Sequence, residues 1–186
     1  MKRLFDLVFA LILITILLLL IITIVIIVRL TSKGPAFYWS DRVGLNNKIF
    51  KMPKFRSMRL ETPAVATHLL VNPKNHLTPI GSFLRKTSLD EIPQLWCIIS
   101  GHMSFVGPRP ALFNQYDLID LRTRKNIYMI LPGLTGWAQI NGRDNIPITQ
   151  KVKLDAEYMK RQSFCFDIKI LFLTFLKVLR RDGLSH

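Results

Sequence analysis

From Leu7 to Val28 the chain is one uninterrupted apolar run, in which only Thr15 and Thr23 interrupt the aliphatic side chains and no charge falls. At about 1.5 Å rise per residue, such a run can cross a hydrocarbon core of roughly 30 Å. The pattern predicts a membrane-embedded helix over residues 1–30 and a domain of ordinary size over 31–186. The run is too long for the apolar region of a typical secretory signal, and no small-residue cleavage pattern follows Val28. Lys2 and Arg3 precede it and Arg29 and Lys33 follow it, so the positive-inside rule finds no asymmetry. Two positive flanks suit a segment that enters one leaflet and returns as a broken helix. The lack of Pro and Gly inside the run instead suits a spanning one.

Beyond the run, Leu30 to Pro35 reads as a break. Ala36 to Trp39 reads as a short aromatic strand, Asp41 to Lys48 as a turn, and Lys48 to Met52 as the return strand of a hairpin. Glu61 to Pro79 is polar and proline-punctuated, a long loop of the kind that often carries function. Helical spacing covers Gly81–Lys86, Asp90–Ser100, Ala111–Asn126 and Thr149–Gln162. Met129 to Asn141 reads as loop and strand. Phe164 to Arg180 carries Asp167, Lys169 and Lys177 too often for a spanning helix, and fits an amphipathic helix lying on a bilayer or on the core. The class is α/β, mostly helical with a small β-hairpin.

Charge adds a partner class. The chain holds 26 Lys and Arg against 12 Asp and Glu, a formal net charge of +14. That excess favours an anionic partner: phospholipid head groups, a nucleotide or nucleic acid. Attraction to acidic lipid alone supplies about 1 kcal/mol per basic residue near the surface. Cys97 and Cys165 sit among apolar neighbours and read as two small buried hydrophobes. With no disulfide framework, and no close pair among His68, His76, His102 and His186, zinc is not expected.

Three segments could carry chemistry. Ser88-Leu89-Asp90-Glu91 fits a helix capping box, with Ser88 as cap. Pro93, the fifth residue of such a helix, would cost it a hydrogen bond. The same pair read chemically is two adjacent carboxylates that repel unless a cation lies beside them. Mg²⁺ suits that role, since it takes one or two carboxylates plus substrate phosphate oxygens. One carboxylate would then be left to attack phosphorus. In Val106-Gly107-Pro108-Arg109-Pro110, two prolines frame one arginine and limit the entropy lost when it grips an anion. Gly133 to Arg143 is turn-rich; its glycines allow close backbone approach, but it matches neither a Walker nor a Rossmann pattern. Lys54 and Arg56 read as surface cations unless a phosphate lies near, and Asp155 as a solvated helix acid.

Lys54-Phe55-Arg56-Ser57-Met58, Arg85 to Glu91, Phe105 to Pro110, Pro132 to Trp137 and Asn141-Gly142-Arg143 occur in the order that resembles the bacterial sugar transferase family, the monotopic phosphoglycosyl transferases. The resemblance implies transfer of a sugar-1-phosphate from a UDP-sugar to polyprenyl (undecaprenyl) phosphate, with Mg²⁺ and a covalent phospho-sugar intermediate, releasing UMP. It implies Asp90 as nucleophile and Glu91 as its metal-supporting partner, the two together holding the metal. Lys54, Arg56, Arg85, Arg109, Arg143 and Asp155 match positions linked to substrate binding or to the active site. It also implies a monotopic enzyme on the cytoplasmic face of a bacterial inner membrane, with a re-entrant N-terminal helix, interfacial amphipathic helices, anionic phospholipid around it and no nucleic-acid partner; a homo-oligomer is left open. Family members typically carry a Ser-Pro pair in the membrane helix, where this chain has Leu18-Leu19. We expect the re-entrant topology nonetheless, because a spanning helix would carry Lys2 and Arg3 across the bilayer. The alternative from another class is a membrane-anchored basic module that binds lipid or nucleic acid without catalysis.

Overall fold

The computed structural model describes residues 1–63, 72–142 and 146–180. Helix α1 (Lys2–Thr31) runs without a break. The interruption expected of a re-entrant segment is therefore absent, for reasons visible in the composition. No Pro or Gly removes a hydrogen bond, and the Thr15 and Thr23 hydroxyls donate back to the carbonyls of Leu11 and Leu19 inside the helix.

The helix lies along the domain rather than leaving it. Its buried positions Asp6, Ala10, Ile24 and Val28, with Phe9, Leu13, Leu17 and Ile21 partly buried between them, recur every three or four residues on one side. The first half joins a core with Leu95, Ile98, Met103, Phe105, Phe166 and Ile170. The second half packs with Ala36, Phe55 and Leu84. Both ends thus meet the same domain. Had α1 crossed a bilayer away from it, one end would stand about 30 Å off. Leu11, Ile16, Leu19, Ile22, Ile26 and Leu30 are exposed on this helix.

Strands β1 (Phe37–Val43) and β2 (Ile49–Phe55) form an antiparallel hairpin, with Phe37 opposite Phe55 and Val43 opposite Ile49. It is longer than the sequence pattern predicts, because the turn is confined to Leu45–Asn47, where Asn46 and Asn47 take positive φ. Pro53 is tolerated within β2 because β2 is the edge of the sheet, whose order is β2-β1-β4. Phe50 and Met52 face one core cluster and Phe55, on the opposite face of the strand, another, and a one-residue slip would exchange them.

Helix α2 (Gly81–Lys86) is followed by a 3-10 turn, Leu89–Gln94, and by α3 (Leu95–Ile99). The single helix expected over Asp90–Ser100 is thus split, with Pro93 inside its tight first part. Strand β3 (Ser104–Val106) and β4 (Ala111–Leu112) bracket the proline-framed loop. Ala111 and Leu112 pair with β1 instead of starting a helix, and α4 spans only Tyr116–Arg124. Strand β5 (Gly133–Thr135) pairs in parallel with β3 and leads into the short α5 (Trp137–Ile140). Helices α6 (Ile148–Arg161) and α7 (Phe164–Arg180) complete the fold. Helix α7 packs Phe166 and Ile170 into the core and exposes Phe172, Phe175 and Val178. Cys97 is buried as expected, whereas Cys165 is exposed, one residue into α7.

Candidate active site

The acidic pair owes its position to a backbone reversal. Ser88 takes φ +56 after the end of α2, so the chain turns back through Ser88 instead of starting a capped helix there. Its hydroxyl makes no capping bond. The capping box does not form, and Asp90 and Glu91 open the 3-10 turn that packs beneath β2.

The two carboxylates meet different surroundings. Glu91 accepts a bond from Lys54 Nζ of β2 at 2.7 Å, and the Arg109 guanidinium grips both its oxygens. Burial pushes the Glu91 carboxyl up, but the charges of Arg109 and then Lys54 outweigh it and hold the group well below the usual carboxylate range. Asp90 is 8% exposed, and no described residue hydrogen-bonds its oxygens. Burial raises its pKa, and the pull of Lys54 does not cancel that; the Glu91 charge adds to the rise while Arg85 and Arg109 oppose it. One carboxylate is neutralised and held; the other is desolvated with its lone pairs open.

The loop bearing Arg109 is pinned from three sides. Gly107 N–H donates to Thr135 O and Gly133 N–H to Pro108 O, both at 2.9 Å. A Cβ on Gly133 would stand 2.1 Å from Gly107 N, and one on Gly136 would stand 2.1 Å from Gly107 O. The glycines of the turn-rich segment therefore let β5 sit directly on this loop. Arg122 of α4 donates to the Arg109 carbonyl at 2.8 Å, while its other nitrogens grip Asp155 of α6 at 2.7 and 3.0 Å. Upstream, Val106 O accepts from Lys2 Nζ at 3.1 Å and from the buried Tyr158 hydroxyl at 3.0 Å, and Lys2 also pairs with Asp167. The head of α1 is thereby tied to the strand that feeds the Arg109 loop.

Of the residues picked out in the sequence, Lys54, Asp90, Glu91 and Arg109 come together, with Arg85 near enough to act on Asp90. Arg56 lies elsewhere: it is buried and donates to the Ser32 and Lys33 carbonyls and the Ser32 hydroxyl at the end of α1. Gly34, at φ +111, leaves room for that guanidinium. Asp155 is not a solvated helix acid but is 1% exposed, in the pair with Arg122. Arg143 lies outside the described residues. Arg122, Lys2, Tyr158 and Asp167 were not picked out by sequence reasoning. The available signal is the group of charges Lys2, Arg3 and Asp6 at the head of a long apolar helix.

Among the described residues no group of three or more His, Cys, Asp or Glu converges on one point. A metal here could draw on Asp90 and Glu91 and would have to complete its shell with phosphate or water oxygens. That is the donor set Mg²⁺ accepts.

The bacterial sugar transferase family profile matches residues 1–181. A protein of Bacillus subtilis named "Uncharacterized sugar transferase EpsL" is 41% identical across 100% of this chain and 91% of its own length. A UDP-glucose:undecaprenyl-phosphate glucose-1-phosphate transferase of Escherichia coli is 40% identical over 95% of this chain and 40% of its own. An undecaprenyl-phosphate galactose phosphotransferase of Salmonella typhimurium is 38% identical over 98% and 41%. The chain spans about two fifths of these two longer relatives. It belongs to the bacterial sugar transferase family, and it is a transferase. The non-catalytic alternative is set aside.

Proposed function

We propose that the chain transfers a sugar-1-phosphate from a UDP-sugar to polyprenyl phosphate, with Asp90 as the covalent carrier. In the first step an Asp90 oxygen attacks the sugar-bearing phosphorus. An Asp90 O–P bond forms, the bond to the bridging oxygen breaks, and UMP leaves with the electron pair. In the second step a phosphate oxygen of the lipid attacks the same phosphorus, and the Asp90 carboxylate is regenerated. The observation that carries the reading is the split character of the acidic pair: Glu91 clamped by Lys54 and Arg109, Asp90 buried with no described residue bonded to its oxygens. Lys54, Arg85 and Arg109 would face the donor's phosphates as they are displaced. Mg²⁺, held by Asp90 and Glu91, would neutralise pyrophosphate charge. The names of the Escherichia coli and Salmonella relatives support the lipid acceptor.

The same reading seats the protein on one leaflet. The outer face of α1 and the exposed aromatics of α7 would enter the hydrocarbon, while +14 net charge draws the domain to anionic head groups, at the cytoplasmic face of an inner membrane. A continuous helix lying along the domain achieves this without a kink.

Purified protein in undecaprenyl-phosphate micelles, given a panel of UDP-sugars and Mg²⁺, should release UMP in amounts equal to the lipid product. No UMP with any donor, alongside tight salt-sensitive binding to nucleic acid, would refute the reading. The titration of Asp90 is a second check. Attack requires ionised Asp90, and burial raises its pKa above the ordinary aspartate value. In the metal-free protein the Asp90 carboxyl should therefore titrate with a midpoint above that of a free aspartate, read by infrared or NMR spectroscopy. A midpoint below it would contradict the assignment.

A further inference from the structure

Residues directly opposite one another in an antiparallel pair share a face, with Cβ atoms about 5 Å apart. In the β1–β2 hairpin Tyr38 stands opposite Lys54, Ser40 opposite Met52 and Arg42 opposite Phe50. Lys54 carries its amine to Glu91, and Arg42 donates to the Pro110 carbonyl of the proline-framed loop at 3.2 Å. The face that bears Tyr38 is thus the one turned to the candidate active site. Ser40 is buried on it, whereas Tyr38 is 46% exposed. The adjacent pair Phe37 and Phe55, on the other face, stacks at 5.4 Å and packs with Ile24 and Val28 of α1. Tyr38 therefore turns away from the membrane helix, and a bilayer is not what its ring meets. An aromatic ring is left open to water beside the lysine that would face the donor's phosphates.

We propose that Tyr38 is a donor-binding residue whose ring stacks on the uracil of the UDP-sugar. This rests on the reading of Asp90 as nucleophile and Lys54 as a phosphate contact. Two parts of such a donor could lie on an aromatic ring, the sugar and the base. The sugar stays on the phosphorus that Asp90 takes, and Asp90 is 8% exposed. The uridine leaves with UMP into water, so the open edge of the site suits the base. A base presents a flat π face to a tyrosine, and a stack of this kind at an exposed site shifts binding by about tenfold.

The test is Tyr38→Leu, which keeps an apolar side chain on the strand and removes the ring. KM for the UDP-sugar should rise about tenfold with kcat within about twofold, because a base held equally in the ground and transition states contributes binding alone. The kcat/KM for the lipid phosphate, which arrives after UMP has gone, should not change. Inhibition by UMP, which carries the base without the sugar, should weaken about tenfold, and inhibition by ribose 5-phosphate should stay level. Tyr38→Phe keeps the ring and should keep the wild-type KM; a loss there as large as in Tyr38→Leu would overturn the proposal. So would an unchanged KM in Tyr38→Leu, or a raised KM with UMP inhibition unchanged, which would give the ring to the sugar. Tyr38→Trp keeps the test open if the leucine variant fails to fold. Its added fluorescence should be quenched by UMP, and an unquenched indole overturns the proposal. Calorimetry with UMP separates the two levels of inference. If the wild type binds UMP through this ring but labelled donor leaves no adduct on Asp90, the nucleophile reading fails and the stack stands. If the adduct forms and Tyr38→Leu binds UMP as tightly as the wild type, only the role of Tyr38 falls.

Discussion

Asp90→Asn should abolish turnover, with UMP release falling by about 10³-fold or more while the protein stays folded. The amide keeps the shape of the carboxylate but is no nucleophile toward phosphorus. It also needs no ionisation in a site where burial already disfavours the charged form. The substitution removes that penalty, so the thermal midpoint should match or exceed the wild type. Stability and activity then move in opposite directions, which a merely structural aspartate would not produce. Labelled sugar-phosphate should be trapped on the wild type and not on the variant. UMP release persisting at the wild-type rate would remove Asp90 from the mechanism.

Asp90 and Glu91 are adjacent carboxylates in the sequence, and nothing in their spacing tells them apart. The difference comes from residues far along the chain: Lys54 on an edge strand and Arg109 on a loop, 37 and 18 positions from Glu91. Elements whose signal is local were legible: the hairpin, the helix around Gly81–Lys86, and the helices of the last forty residues. The capping-box reading failed because Ser88 adopts a left-handed conformation, and Pro93 was the only hint of it. Nothing local singles out Arg122 among the charges of its helix, since its partner lies 33 residues on, in another helix. Arg56 reads in the sequence as a surface cation unless a phosphate lies near, whereas the fold buries it against carbonyls at the end of α1. The lie of α1 was illegible for a different reason. Its inner and outer faces are equally aliphatic, so no periodic contrast marks which side meets the domain. Only Lys2 and Asp6, buried or partly so at its head, distinguish the two.

Asp155→Asn should destabilise the fold by about 3–5 kcal/mol, because it strands the Arg122 guanidinium in the interior without its counter-charge. The exposed pair Arg124–Asp120 on the same helix provides the contrast: Asp120→Asn should cost less than about 1 kcal/mol. Activity separates two roles that stability alone cannot. Arg122 also holds the carbonyl of Arg109, so the buried pair shapes the loop that clamps Glu91. Replacing both partners together, as Arg122→Met with Asp155→Leu, leaves no buried charge, and such exchanges are often neutral or stabilising. The double variant should therefore recover most of the lost stability in a denaturant titration. It should not recover kcat/KM, because the Arg109 carbonyl still lacks its donor and the guanidinium is no longer fixed against Glu91. Recovery of both would mean that the Arg122–Asp155 pair serves the core and nothing else. Recovery of stability alone would make it a positioning device for Arg109, with Asp155 acting on the reaction at one remove.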